Sequence, residues 1–185
     1  MHTLPYSRVS FFIRRMDTKG FLKAPDVPAA SIPLVSFVYL TDGELLFECG
    51  GESLLCYTGQ LILVPQGQAF SIPYYKDCTG YTGAFSASFL PDARVLQELT
   101  KVLHKAFWFD DAVFVGELFN MLALAFERGD ETFAAKGLDL LLHMAKLLLQ
   151  DTVLPVIDIA SAVGFEDQSY FSRFFRQHTG LTPVS

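Results

Sequence analysis

Histidine and cysteine, the usual material of metal centres and nucleophilic sites, are scarce here: four and three among 185 residues. The cysteines, Cys49, Cys56 and Cys78, are odd in number and lack a Cys-x-x-Cys spacing. That argues against a disulfide framework and against a zinc site, and for reduced, buried thiols. The histidines, His2, His104, His143 and His178, are scattered, so metal catalysis is disfavoured; His104 and His143 read as ordinary helix residues. Long apolar runs are missing too. The most apolar late stretch, Leu138 to Leu149, is too short to span a bilayer and carries His143 and Lys146. The first fifteen residues lack a basic region leading into a long apolar run, so no secretory leader is expected and the location implied is cytoplasmic. Positive charge is also short. The formal charge of −6 has the wrong sign for a protein that coats nucleic acid without selectivity.

What the chain does have is apolar mass. Half the residues are hydrophobic and only 18% are charged, which suits a packed core and excludes general disorder. Aromatics reach 14%, with 18 Phe, so the core is aromatic-rich or some of this surface awaits a ligand. Acidic residues are unevenly spread: between Asp167 and Gly180 one acid, Asp167, faces two arginines, Arg173 and Arg176. Any nucleic-acid contact should be local and sensitive to salt.

Residues 6 to 90 read as short strands. Val35 to Leu40 is β-branched and aromatic, Thr41-Asp42-Gly43 reads as a turn, and Glu44 to Cys49 follows before Gly50-Gly51, which together predict a hairpin. Leu54 to Tyr57, Leu61 to Val64, Ser71 to Tyr75 and Tyr81 to Phe89 continue the pattern toward a small barrel or sandwich. The period changes after Pro91. Val95, Leu96, Leu99, Val102 and Leu103 mark an amphipathic helix, equally suited to a dimer seam or to packing on the strands. A second, mostly apolar helix is expected from Asp111 or Ala112 to Arg128, ended by Gly129. A third should run from about Glu131 to Gln150, weakened at Gly137, with Pro155 suited to the first turn of a fourth.

The segment from Leu154 to Pro183 carries the most information. Ile157, Ile159, Ala160 and Val163 give a short helix one apolar side, Gly164 permits a sharp turn, and Asp167 stands where an N-cap is needed. In the next helix Phe171, Phe174 and Phe175 point one way, while Gln168, Ser169, Ser172 and Arg173 share another face. Helix, tight glycine turn and a second helix with a polar, arginine-bearing face describe a helix-turn-helix.

At these residues the chain resembles the AraC family of bacterial transcription regulators. The second helix-turn-helix of that family carries a pattern like IA..GF.D.SYFSR.FK...G.TP. Ile159-Ala160, Gly164-Phe165, Asp167, Ser169 to Arg173, Phe175, Arg176, Gly180 and Thr182-Pro183 fill it. The resemblance implies that Gln168, Ser169, Ser172 and Arg173 face the major groove, with Arg176 near a phosphate. Arginine would take guanine through O6 and N7, and glutamine suits adenine. A plain surface pairing of Arg173 with Asp167 or Asp158 is an equal alternative, so both roles stay open. Ala145 to Thr152 resembles the end of the helix that joins the family's two units. Roughly forty residues that would hold the first unit are absent, and the chain stops at Ser185 before the tyrosine-arginine that usually follows.

Upstream, Gly59 to Gly67 resembles the cupin pattern G-x-x-x-x-x-P-x-G, with an aromatic at Phe70 where a metal-binding histidine is often found. These readings define an α+β expectation. A cupin-like, ligand-sensing β domain covers 1–90, a helical dimerisation or linker region 91–152, and a partial helix-turn-helix 153–185. Phe37, Tyr39, Phe47, Phe70 and Tyr74 are candidates to line a small-molecule cavity, or else plain core. No catalytic residue, metal or cofactor is expected. The partners implied are DNA, a small-molecule effector and a second copy of the chain, with no membrane. The alternative is a non-binding member that dimerises with full-length regulators and inhibits them.

Overall fold

The computed structural model describes residues 10–16, 34–100, 106–109 and 111–149. In these the expected α+β class is found: six strands in one antiparallel sheet, then helices. Strand β1 spans Phe11–Met16, β2 Val35–Cys49, β3 Glu52–Tyr57, β4 Gln60–Val64, β5 Phe70–Phe85 and β6 Ala106–Trp108. Helix α1 spans Arg94–Thr100, α2 Ala112–Arg128 and α3 Glu131–Leu149. The chain divides into two compact units, 1–89 with 100–108, and 90–99 with 109–185. None of the described helices is long and apolar enough to cross a membrane.

The sheet is organised around β2. Its order is β1-β5-β2-β4-β6, with β3 also on β2. On one side β2 pairs with β5 almost end to end; on the other, Ser36 to Tyr39 pair with β4 and Glu44 to Cys49 with β3. The turn expected at Thr41-Asp42-Gly43 is not a hairpin. The strand continues through it, and the β2–β5 register shifts between Leu40 and Asp42 and again between Asp42 and Glu44. Gly43 takes φ +89°, and a Cβ there would lie 2.5 Å from the carbonyl oxygen of Asp77. Turn-forming residues serve a bulge here because β5 supplies a partner strand through the irregularity, with Asp77 itself at φ +50°. The true hairpin turn is Gly50-Gly51, between the paired residues Cys49 and Glu52; both glycines have positive φ, as a type I′ turn requires.

Two further expectations are corrected. Ser71 to Tyr75 and Tyr81 to Phe89 are not separate strands but parts of β5, which ends at Phe85. Ala106 to Trp108, unassigned from the sequence, forms an edge strand on β4, with Leu61 opposite Phe107. Helix α1 takes in Val95, Leu96 and Leu99 of the expected apolar set, and Val102 and Leu103 lie outside the described residues.

The second and third helices follow their local signals. The Asp111 carboxylate accepts from the Phe114 N–H at 2.9 Å and so caps α2, and Gly129 closes it in the left-handed conformation. Asp130 caps α3 in the same way, accepting from Phe133 N–H at 3.0 Å. Gly137, which weakens α3 by propensity, has a packing reason. A Cβ there would come within 2.7 Å of Leu122 Cδ2, so the glycine lets α2 and α3 approach closely.

Candidate functional site

Alternation along a strand sends neighbouring side chains to opposite faces, and a bulge reverses the count. On β2, Val38 and Leu40 belong to one buried cluster, and beyond the bulges Leu45, Phe47 and Cys49 join the same cluster. Met16, Cys56, Ile62, Val64 and Cys78 complete it, with Phe70, Ile72 and Tyr75 partly buried against it. The Phe47 and Phe70 rings stack at 5.2 Å. Together they form the apolar core on this face of the sheet.

The five aromatic candidates therefore do not converge. Phe47 and Phe70 share this face. Phe37 and Tyr39 are each only 1% exposed but lie across the sheet from it, the Phe37 ring 6.3 Å from Phe85. Tyr74 sits at the surface, its hydroxyl donating to Glu44 Oε1 at 2.8 Å, a bond that raises its pKa. Phe37 and Phe47 part company because the alternation along β2 is reset at the bulges.

Beside Phe70 the β2–β3 turn and the start of β5 enclose an open depression of about 390 Å³, lined by residues that include Glu48, Cys49, Glu52, Ser53, Phe70 and Ser71. The hydroxyls of Ser53 and Ser71 each lie 3.4 Å from the Glu48 carboxylate. An aromatic ring beside carboxylates and hydroxyls suits a polyol or a cation better than an anion. The thiols bring no reactivity to this face. Burial pushes Cys56 up to about 12, and raises Cys49 and Cys78 as well, so all three stay protonated and poorly nucleophilic near neutrality. The three are buried thiols outside any disulfide, as the sequence suggested. Among the described residues no cluster of His, Cys, Asp and Glu has the geometry to hold a metal ion.

The residues assigned to DNA, Gln168, Ser169, Ser172, Arg173 and Arg176, lie outside the described residues, as does the whole motif from Leu154 to Pro183. For that part of the chain the comparisons speak. Residues 121–185, about a third of the chain, match the family described as "Helix-turn-helix domain". The match begins inside α2 and takes in all of α3.

Known relatives narrow the class. The chain is 48% identical over 42 residues to the arabinose operon regulatory proteins of Salmonella typhimurium and Escherichia coli, 23% of this chain in each case. It is 50% identical over 40 residues to the HTH-type transcriptional activator RhaR of an Enterobacter species, 22% of this chain. The matched stretches span 15%, 14% and 14% of those relatives, about a seventh of their length. Among solved structures, the AraC-like transcriptional activator CuxR is similar at TM-score 0.38 and 11% identity, over 89% of this chain and 62% of that one. The resemblance to the AraC family read from the C-terminal motif is thus borne out. The matched C-terminal stretch is similar to transcription regulators.

Proposed function

We propose that the chain is a sequence-selective DNA-binding transcription regulator, governed by a small molecule bound on the β domain or by dimerisation. The observation that carries this reading is the helix-turn-helix match over 121–185, within which the groove-facing set Gln168, Ser169, Ser172 and Arg173 falls at consistent helical spacing. The small-molecule site is the Phe47–Phe70 face with its adjoining depression. Binding there biases the chain between states of different DNA affinity. A protein of this kind works in the cytoplasm, as a homodimer, because one helix-turn-helix contacts too little DNA alone.

The test is DNA binding by the purified chain against a genomic fragment library at two salt concentrations. A selective complex that is lost in Arg173→Ala supports the reading. No selective binding at low salt sinks it. In that event a second reading gains weight, favoured by the formal charge of −6 and by the sequence reading in which the family's first helix-turn-helix unit is missing. The chain would then act as a dimerising inhibitor. Mixed with a full-length relative, it should form heterodimers and lower operator binding; failure to form them rejects that reading.

A further inference from the structure

Among the described residues one charged side chain is buried: Asp139 of α3, 2% exposed. Leu138, Leu140, Leu141 and Leu142 beside it in the sequence are all buried as well, so Asp139 lies in a fully buried stretch of α3. Its Oδ1 is buried without a well-formed hydrogen bond. The nearest group of opposite charge is one helical turn away, His143 Nδ1, at 3.2 Å. That nitrogen also lies 2.8 Å from the Asp139 carbonyl oxygen, which can only accept, so Nδ1 carries a hydrogen and donates it there. Compensation of the carboxylate therefore depends on whether the ring is charged, because a buried carboxylate without a counter-charge is costly.

His143 has access to protons. Its side chain is 30% exposed while that of Asp139 is 3% exposed. The other charges acting on it are few. Lys146, also on α3, opposes a positive ring. Asp92, just before α1, favours one, although Arg94 holds that carboxylate at 2.7 to 3.0 Å. The buried side of α2, which packs on α3, offers Phe114, Val115, Leu118, Phe119, Met121, Leu122 and Ala125 and no charge.

We propose that Asp139 and His143 form a proton-operated lock on α3, closed while the imidazole is protonated and released when it loses its proton. The lock lies inside the segment matched to helix-turn-helix proteins, and α3 ends at Leu149, shortly before the C-terminal motif begins in the sequence at Leu154. Its effect on DNA binding rests on the function proposed above; the lock itself does not. The direction of the shift agrees: the adjacent Asp139 carboxylate raises His143 above its ordinary 6.5, against the opposing effect of partial burial. A folded-state value above the unfolded one means that the stabilisation is complete below about 6.5 and is lost as pH rises through the raised value.

The experiment uses the full chain, comparing wild type, Asp139→Asn and His143→Gln. NMR titration of the histidine ring protons, assigned by the signal missing from His143→Gln, reads the lock directly; denaturant unfolding from pH 5 to 9 reads its effect. His143 should titrate above 6.5 in wild type and fall back toward it in Asp139→Asn. Wild-type stability should drop across that titration, and both variants should lose this part of the pH dependence. Superimposable pH profiles for wild type and Asp139→Asn overturn the proposal. If Asp139→Asn does not fold, a wild-type His143 titrating at or below 6.5 overturns it alone. DNA affinity on the selected fragments separates the two ideas. A working lock without DNA binding rejects the regulator reading, and selective binding with an ordinary His143 rejects the lock.

Discussion

Phe37 and Phe47 lie on one strand, at the same sequence parity and almost equally buried, yet on opposite faces of the sheet. No local property of either residue records the difference, because it arises from the bulges between them. Both are core side chains, so Phe37→Ala and Phe47→Ala should each cost about 3–5 kcal/mol in denaturant unfolding. Tyr74→Phe, at the surface, should leave the unfolding midpoint where it is. A large loss in Tyr74→Phe, or none in Phe37→Ala, would contradict the face assignment. The cysteines add a second residue-scale prediction. With the Cys56 thiol held up near 12 and its two companions also raised, native protein at pH 8 should resist an alkylating reagent that labels all three in denaturant. Rapid labelling of the native chain would show that this face opens. His143, by contrast, looked like an ordinary helix residue, and only the burial of its neighbour one turn away gives it a role.

At the scale of elements, legibility followed the range of the forces involved. Helices α2 and α3 were readable almost to their ends because caps act locally: Asp111 and Gly129 bracket one, Asp130 starts the other. The long strands were not, since Thr41-Asp42-Gly43 has turn chemistry and only pairing with distant β5 turns it into a bulge. Strand β6 gave no signal at all; three residues are too few for a period, and β4 alone defines it. Glycines show the same division. Gly116 and Gly137 are both interior helical glycines, but a Cβ at Gly116 meets nothing within 4 Å, whereas one at Gly137 meets Leu122. Gly116→Ala should therefore stabilise the chain by about 0.5–1 kcal/mol in thermal or denaturant unfolding. Gly137→Ala should give none of that gain. Equal gains at both positions would mean that α2 and α3 are not so closely packed. Gly43→Ala, at positive φ and against backbone, should cost more than about 1 kcal/mol.

For the whole molecule, the C-terminal motif was the most legible part, since its residues are contiguous and its spacing fits one family pattern. The Phe47–Phe70 face was the least, because Phe47, Phe70 and Cys56 meet only through pairing across the sheet. Under the proposed function, the charge distribution constrains how the chain would engage DNA. A chain of net −6 has no general attraction to a polyanion, so binding must come from a few local contacts. Arg173 and Arg176 should divide that work. If Arg173 reads a base edge, Arg173→Ala should cost about 1–3 kcal/mol on the preferred fragment and relax the preference at one position. If Arg176 meets a phosphate, Arg176→Ala should weaken all fragments alike and reduce the slope of log affinity against log salt by about one. Titrations of both variants on preferred and scrambled fragments at several salt concentrations separate the roles. Loss of selectivity in Arg176→Ala, with Arg173→Ala losing only a salt-dependent share, would exchange the two assignments and turn the helix to present a different face to the groove.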